Sequence, residues 1–161
     1  MTVALYDEGE LPWRTVSPRL ATARRVSATA SSVVWLLILG VLAVWVSRWL
    51  WVPFTVVALL LVWSWWFIGR QVSAISYAEL PEELVIRRGR IFRTLVSIPY
   101  GRLQYADMAS GPLMRRLGIA SVTIHTASPA SGGALPGLAL PEAEALRERL
   151  TALGEAQRAG L

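Results

Sequence analysis

The sequence predicts a two-helix transmembrane hairpin followed by a small α+β domain, a bent antiparallel sheet or open barrel capped by a C-terminal helix. Three observations predict it. Two uncharged apolar runs of about twenty residues each lie close together in the N-terminal half, long enough to cross a bilayer as helices. Short β-rich runs at roughly ten-residue spacing follow. The last segment carries the period of an amphipathic helix. Composition agrees: of 161 residues 54% are hydrophobic and only 17% charged, and seven of the eight tryptophans fall between residues 35 and 66. Disorder, collagen and a disulfide-stapled scaffold are excluded, the last because there is no cysteine. The absence of cysteine also agrees with a reducing compartment.

The first run extends from Val26 to Ser47 and the second from Trp49 to Gly69, with Arg48 the one charge between them. An arginine at the bilayer centre costs about 2.5–3.5 kcal/mol, so Arg48 marks a turn at the interface. Pro53 suits the first turn of a second helix and not its interior. The expected helices are 28–49 and 53–69, within a hairpin region 26–70. Trp45, Trp49 and Trp51 form one aromatic belt, and Trp63, Trp65 and Trp66 the other, with Trp35 near the second. Arg14, Arg19, Arg24 and Arg25 precede the hairpin, while Arg70 and then Arg87, Arg88, Arg90 and Arg93 follow it. By the positive-inside rule both termini are expected to face the cytoplasm, as in a multi-pass plasma-membrane protein. The first helix is not expected to be a cleaved signal, because an arginine-bearing tail precedes it and no A-x-A site follows.

Residues 1–25 carry Pro12 and Pro18 and show no hydrophobic period. They read as a loose cytoplasmic tail with a short interfacial stretch at Leu11–Trp13. Residues 71–161 form the cytoplasmic domain. Its expected strands are Ser73–Leu80, Leu84–Ile91, Thr94–Ile98, Leu103–Met108, Ile119–Thr126 and Leu135–Leu140, each bounded by Pro, Gly or Ser turn signals. A final helix is expected over about 141–157, with Pro141 at its start, Glu142 and Glu144 in its first turn and Leu146, Leu150 and Leu153 as its apolar stripe. That helix either plugs the open end of the barrel or docks a partner.

The stretch 98–127, IPYGRLQYADMASGPLMRRLGIASVTIHTA, resembles the bacterial pleckstrin-homology (PH) domain family, and more narrowly its short two-helix membrane-anchored, YdbS-like type. The ordered set that carries the resemblance begins with Arg88-Gly89, Ile98-Pro99 and Arg102-Leu103-Gln104. It continues through Gly111-Pro112-Leu113, Arg115-Arg116-Leu117-Gly118, Ile124-His125-Thr126 and Leu135-Pro136-Gly137-Leu138. With the hairpin, the likeness covers about residues 26–150. One departure is Tyr105-Ala106-Asp107-Met108, where the family pattern is more hydrophobic. The resemblance implies a PH-like domain, a seven-stranded bent sheet with a C-terminal helix, and as partners larger multi-helix membrane proteins carrying several such domains. The likeness of this fold to phosphoinositide-binding domains does not carry that ligand over.

No constellation supports catalysis. His125 is the one histidine, and a Ser121–His125–Asp107 triad would lack a nucleophile elbow, so His125 reads as an ordinary strand residue. A zinc site lacks its usual ligands, and Gly132-Gly133 lacks the lysine of a phosphate loop. No enzyme activity and no cofactor or metal are expected. Arg87, Arg88, Arg90 and Arg93 around one hairpin and Arg115 and Arg116 in another connection are the candidate binding residues. Near an inner leaflet each contributes about 1 kcal/mol of attraction to anionic phospholipid, and otherwise they set topology and coat solvated strand faces. Nucleic acid is not an expected partner, because residues 71–161 hold ten arginines against eight acids with no aromatic platform among them. Two functions remain: an interaction module that binds or scaffolds another membrane-associated protein, and an anionic-lipid head-group reader.

Overall fold

The computed structural model describes residues 12–89, 93–127 and 132–159. Helix α1 runs Arg19–Trp45 and α2 runs Trp51–Val72, joined by a 3-10 turn at Arg48–Leu50. Arg48 thus sits in the turn, where Ser47 Oγ accepts the Trp49 amide at 3.4 Å. Pro53 falls in the first turn of α2, where its missing N–H has no helical acceptor to lose. The surfaces of both helices are strongly apolar and turned outward: Val44 is 72% and Trp45 85% exposed on α1, and Val62 72% on α2. A patch of this extent belongs in lipid, not water. Among the described residues these two helices have the length and composition to cross a membrane.

Helix α1 starts nine residues before the expected position 28. Its 27 residues span about 40 Å, longer than the ~30 Å hydrocarbon core, so its first two turns stand clear of the apolar zone. Those turns are used for packing. Leu20, Ala21 and Ala23 are buried in the same core as the strands that follow. The expected loose tail is therefore part of the domain from at least Arg14 onward. Strand β1 (Arg14–Thr15) pairs antiparallel with β2 (Ser76–Glu79), and Ser17 N–H donates to the Gly137 carbonyl at 2.9 Å. Composition hid this role, because a two-residue strand and three small or apolar side chains in a polar segment leave no period to detect.

The remaining strands are β3 (Glu83–Arg88), β4 (Thr94–Pro99), β5 (Leu103–Ala109), β6 (Ile119–Thr126) and β7 (Gly133–Ala139). They form two antiparallel sheets, β1-β2-β3-β4 and β5-β6-β7. A short helix α3 (Pro112–Arg116) links β5 to β6. Alternation places Leu84 and Ile86 of β3, Ile98 of β4, and Val122 and Ile124 of β6 in one apolar layer between the sheets. Helix α4 (Leu140–Ala159) closes this layer with Ala143, Leu146 and Leu150, and so caps the domain. Leu153 is not on the buried stripe: it is 37% exposed, while Gly154 is buried where an added Cβ would lie 3.1 Å from Leu103. A 3.6-residue period carries the stripe from Leu150 to Gly154, where the close approach of Leu103 leaves little room for a side chain.

Two polar networks fasten the parts. Glu79 takes a two-pronged contact from Arg149 of α4, at 2.9 and 3.0 Å, and lies 3.7 Å from Arg14 of the N-terminal segment. Tyr77 Oη donates to Glu142 at 2.7 Å, and Tyr100 Oη donates to the Leu80 carbonyl at 3.0 Å. Burial, aided by Glu142, holds the Tyr77 phenol far above its ordinary pKa, and burial raises that of Tyr100. Both phenols therefore act as neutral donors.

Candidate functional site

The end of β3 lies at the foot of the helix pair. Ser76 follows the last residue of α2 by four positions and pairs with Arg87, so Arg87 and Arg88 sit beside the helix bases. Arg87 does not reach freely into solvent: its Nε donates to Ser76 Oγ at 3.1 Å and its guanidinium lies 4.6 Å from the centre of the Trp13 ring. Of the interfacial stretch expected at Leu11–Trp13, Leu11 lies outside the described residues, and Trp13 serves as the platform under Arg87. Arg88 alternates onto the core-facing side of the strand and is partly buried, with its Nε shielded and, among the described residues, without a hydrogen-bond partner. Burial and the positive charge of Arg24 together depress its pKa from the ordinary arginine value.

Of the six arginines singled out from the sequence, the five that are described are spread over different elements. Arg93 is exposed before β4, near Arg87 and Arg88, and Arg90 lies outside the described residues. Arg115 and Arg116 stand on α3, which packs against the other sheet, and Arg115 bonds the Ser110 carbonyl at 3.4 Å. The structure adds residues that sequence reading assigned only to topology. Arg24 donates to Gln71 Oε1 at 3.1 Å across the helix pair. At the adjacent positions, Arg25 donates to the Trp65 carbonyl at 3.2 Å and Arg70 lies 4.4 Å from the Trp66 ring centre. Trp65 Nε1 in turn donates to Thr29 at 2.9 Å. Trp63, Trp65 and Trp66 thus lie toward the domain end of the hairpin, and Trp45, Trp49 and Trp51 at its turn.

A second cluster faces outward from the three-stranded sheet. Tyr105 and His125 are cross-strand partners whose rings stack at 4.4 Å, and His125 Nε2 lies 3.3 Å from Asp107 Oδ2. The unusual Tyr-Ala-Asp-Met strand is explained by this alternation. Ala106 and Met108 pack on the core, while Tyr105 and Asp107 point outward to His125. Ser121 pairs with Ala109, four residues along β6 from His125 and so about 13 Å away, too far to serve that histidine as a nucleophile. Among the described residues no three His, Asp or Glu side chains gather as a metal site.

A membrane hairpin fused to two packed antiparallel sheets and a capping C-terminal helix defines a membrane-anchored PH-like module. The family model for the bacterial PH domain matches residues 21–153, and the chain belongs to that family. It is also 34% identical over 77 residues to a protein described as UPF0699 transmembrane protein YdbS of Bacillus subtilis (strain 168). That match covers 48% of this chain and 47% of the relative, so the chain spans about half of the relative's length. No solved structure matches the chain. The matched family begins inside α1, in agreement with a domain built from both sides of the hairpin.

Proposed function

We propose that this chain is a non-catalytic module, held by two membrane-crossing helices with both termini in the cytoplasm, that binds another membrane-associated protein at the inner face of the plasma membrane. The observation that carries this reading is the Tyr105–His125–Asp107 face. Among the described residues, Tyr105 is one of two large hydrophobic side chains left exposed outside the hairpin formed by α1, its connecting turn and α2, the other being Leu153. A rigid, half-exposed aromatic ring flanked by polar groups has the chemistry of an interface anchor. The domain beneath it is fastened to the hairpin at both ends, through β1 and through Val72, so the face is held at a set height over the bilayer. The relative's name as a transmembrane protein supports the membrane setting.

A photo-crosslinking residue at position 105 of the full-length protein, activated in native membranes, tests the reading. One recurrent membrane protein captured in near-equal amount from position 105, and not from Ala152 on the outer side of α4, is the expected result. Capture of lipid alone from position 105 overturns it. The alternative function, an anionic head-group reader, is favoured by Arg88, whose shielded Nε has no hydrogen-bond partner among the described residues.

A further inference from the structure

We propose that the outward face of β5 and β6 binds an arginine side chain of the docked protein, its guanidinium lying on the Tyr105 ring and pairing with the Asp107 carboxylate. The proposal rests on the docking reading above and adds to it the chemistry of the partner. Among the described strands β5 is an edge strand, with β6 as its one ladder neighbour. The His125 imidazole comes from β6 and lies 4.4 Å from the Tyr105 ring, the two planes 13° apart. One ring face is therefore covered from the β6 side, and the other looks over the open edge of the sheet, in keeping with the 51% exposure of Tyr105. Two residues along the strand, Asp107 shares the outward face, and its side chain is 64% exposed. The imidazole meets that carboxylate from one side, with His125 Nε2 3.3 Å from Oδ2. Among the described residues no arginine is ion-paired with Asp107.

An open aromatic face beside an exposed carboxylate selects a cation. A planar guanidinium meets both groups at once: it stacks on the ring by cation–π attraction and forks a carboxylate with two N–H donors. Tyr105 and Asp107 stand about 7 Å apart along β5, within reach of one such head group. Lysine, a point charge without a plane, satisfies one of the two at a time. The setting supplies the cation, because cytoplasmic loops of membrane proteins carry an excess of arginine and lysine. The same carboxylate repels phosphate and so sets the face against anionic phospholipid. Paired strands hold ring, imidazole and carboxylate in place before binding, which keeps the ordering cost low.

The test uses the full-length protein in a neutral detergent, purified without a histidine tag. His125 is the one histidine in the chain, so isotopically labelled histidine gives a single ring signal that reports this face by NMR. The probe is the peptide acetyl-Gly-Arg-Gly-amide, compared at equal ionic strength with its lysine and citrulline counterparts. The arginine peptide is expected to move the signal saturably and the lysine peptide to bind more weakly. The citrulline peptide, which keeps the shape and loses the charge, should leave the signal unmoved. Asp107→Asn and Tyr105→Leu should each weaken the arginine peptide about two- to fivefold, and the exposed control Glu148→Gln on α4 should not. Equal responses to the arginine and citrulline peptides overturn the proposal, as does an affinity in Asp107→Asn equal to that in Glu148→Gln. In the photo-crosslinking experiment the partner segment joined to position 105 should contain arginine. A captured segment without one overturns the arginine assignment and leaves the docking reading standing. Arginine binding with no protein captured supports the site and removes the docking reading.

Discussion

Gly137→Ala is the sharpest test of how the N-terminal segment is joined to the domain. Gly137 has φ +74°, a left-handed conformation, and an added Cβ there costs about 1–2 kcal/mol from backbone sterics alone. The same Cβ would lie 2.6, 2.8 and 2.9 Å from three carbons of Leu20. Leu20 is only 3% exposed and has no open space to turn into, so the overlap adds about 1–3 kcal/mol of overpacking. The total, about 2–5 kcal/mol, corresponds to a melting temperature lowered by about 5–15 °C for a chain of this size. Thermal unfolding of the full-length protein in neutral detergent reads it directly. Gly111→Ala is the control: its backbone is extended and an added Cβ meets nothing within 4 Å, so less than about 1 kcal/mol is expected. The double variant Gly137→Ala/Leu20→Ala removes the clashing side chain and should cost less than the sum of the two single changes. A Gly137→Ala protein that melts within a degree of Gly111→Ala would refute the packing of Leu20 on β7.

A fragment of residues 71–161 lacks β1 and the buried Val16, Leu20, Ala21 and Ala23; circular dichroism should show it without a cooperative melt, whereas the full chain in detergent melts cooperatively. Leu146→Ala should cost about 2–5 kcal/mol and Leu153→Ala under about 1 kcal/mol in thermal unfolding, because the first side chain is fully buried and the second lies 37% exposed. Tyr77 and Tyr100 have phenol pKa values raised in the folded state above their ordinary value of 10.0. Both ionise first in the unfolded chain, so their contribution is intact below about pH 10 and is lost as pH rises through 10 toward the folded values. Unfolding temperatures measured from pH 8 to 11 should fall above pH 10, and Tyr77→Phe/Tyr100→Phe should flatten that fall; an unchanged slope would count against the buried, neutral phenols.

Elements whose signal is local were legible. Charge-free length and the lone Arg48 marked the hairpin, because removing a charge from water costs the same wherever the chain folds. The six strands after the hairpin were each found to within a few residues, since alternation and turn residues act over a few positions. Gly137 stands inside the expected strand Leu135–Leu140, but its task, making room for Leu20 where β7 bulges, involves a residue on the far side of the hairpin. The arginine runs were visible, but their partners were not: Trp13 occupies Arg87, and the helix-base contacts of Arg25 and Arg70 come from rings on or across α2.

The amino-acid sequence by itself determined a membrane hairpin, a β-rich domain and an amphipathic closing helix, because hydrophobic period, proline and charge exclusion are properties of contiguous residues. Only the tertiary structure decided that residues before the hairpin complete the domain, that Gly154 and not Leu153 continues the buried stripe, and that Trp13 lies under Arg87. Each of these depends on a contact across the chain, where the deciding term is the space and charge left by a distant neighbour.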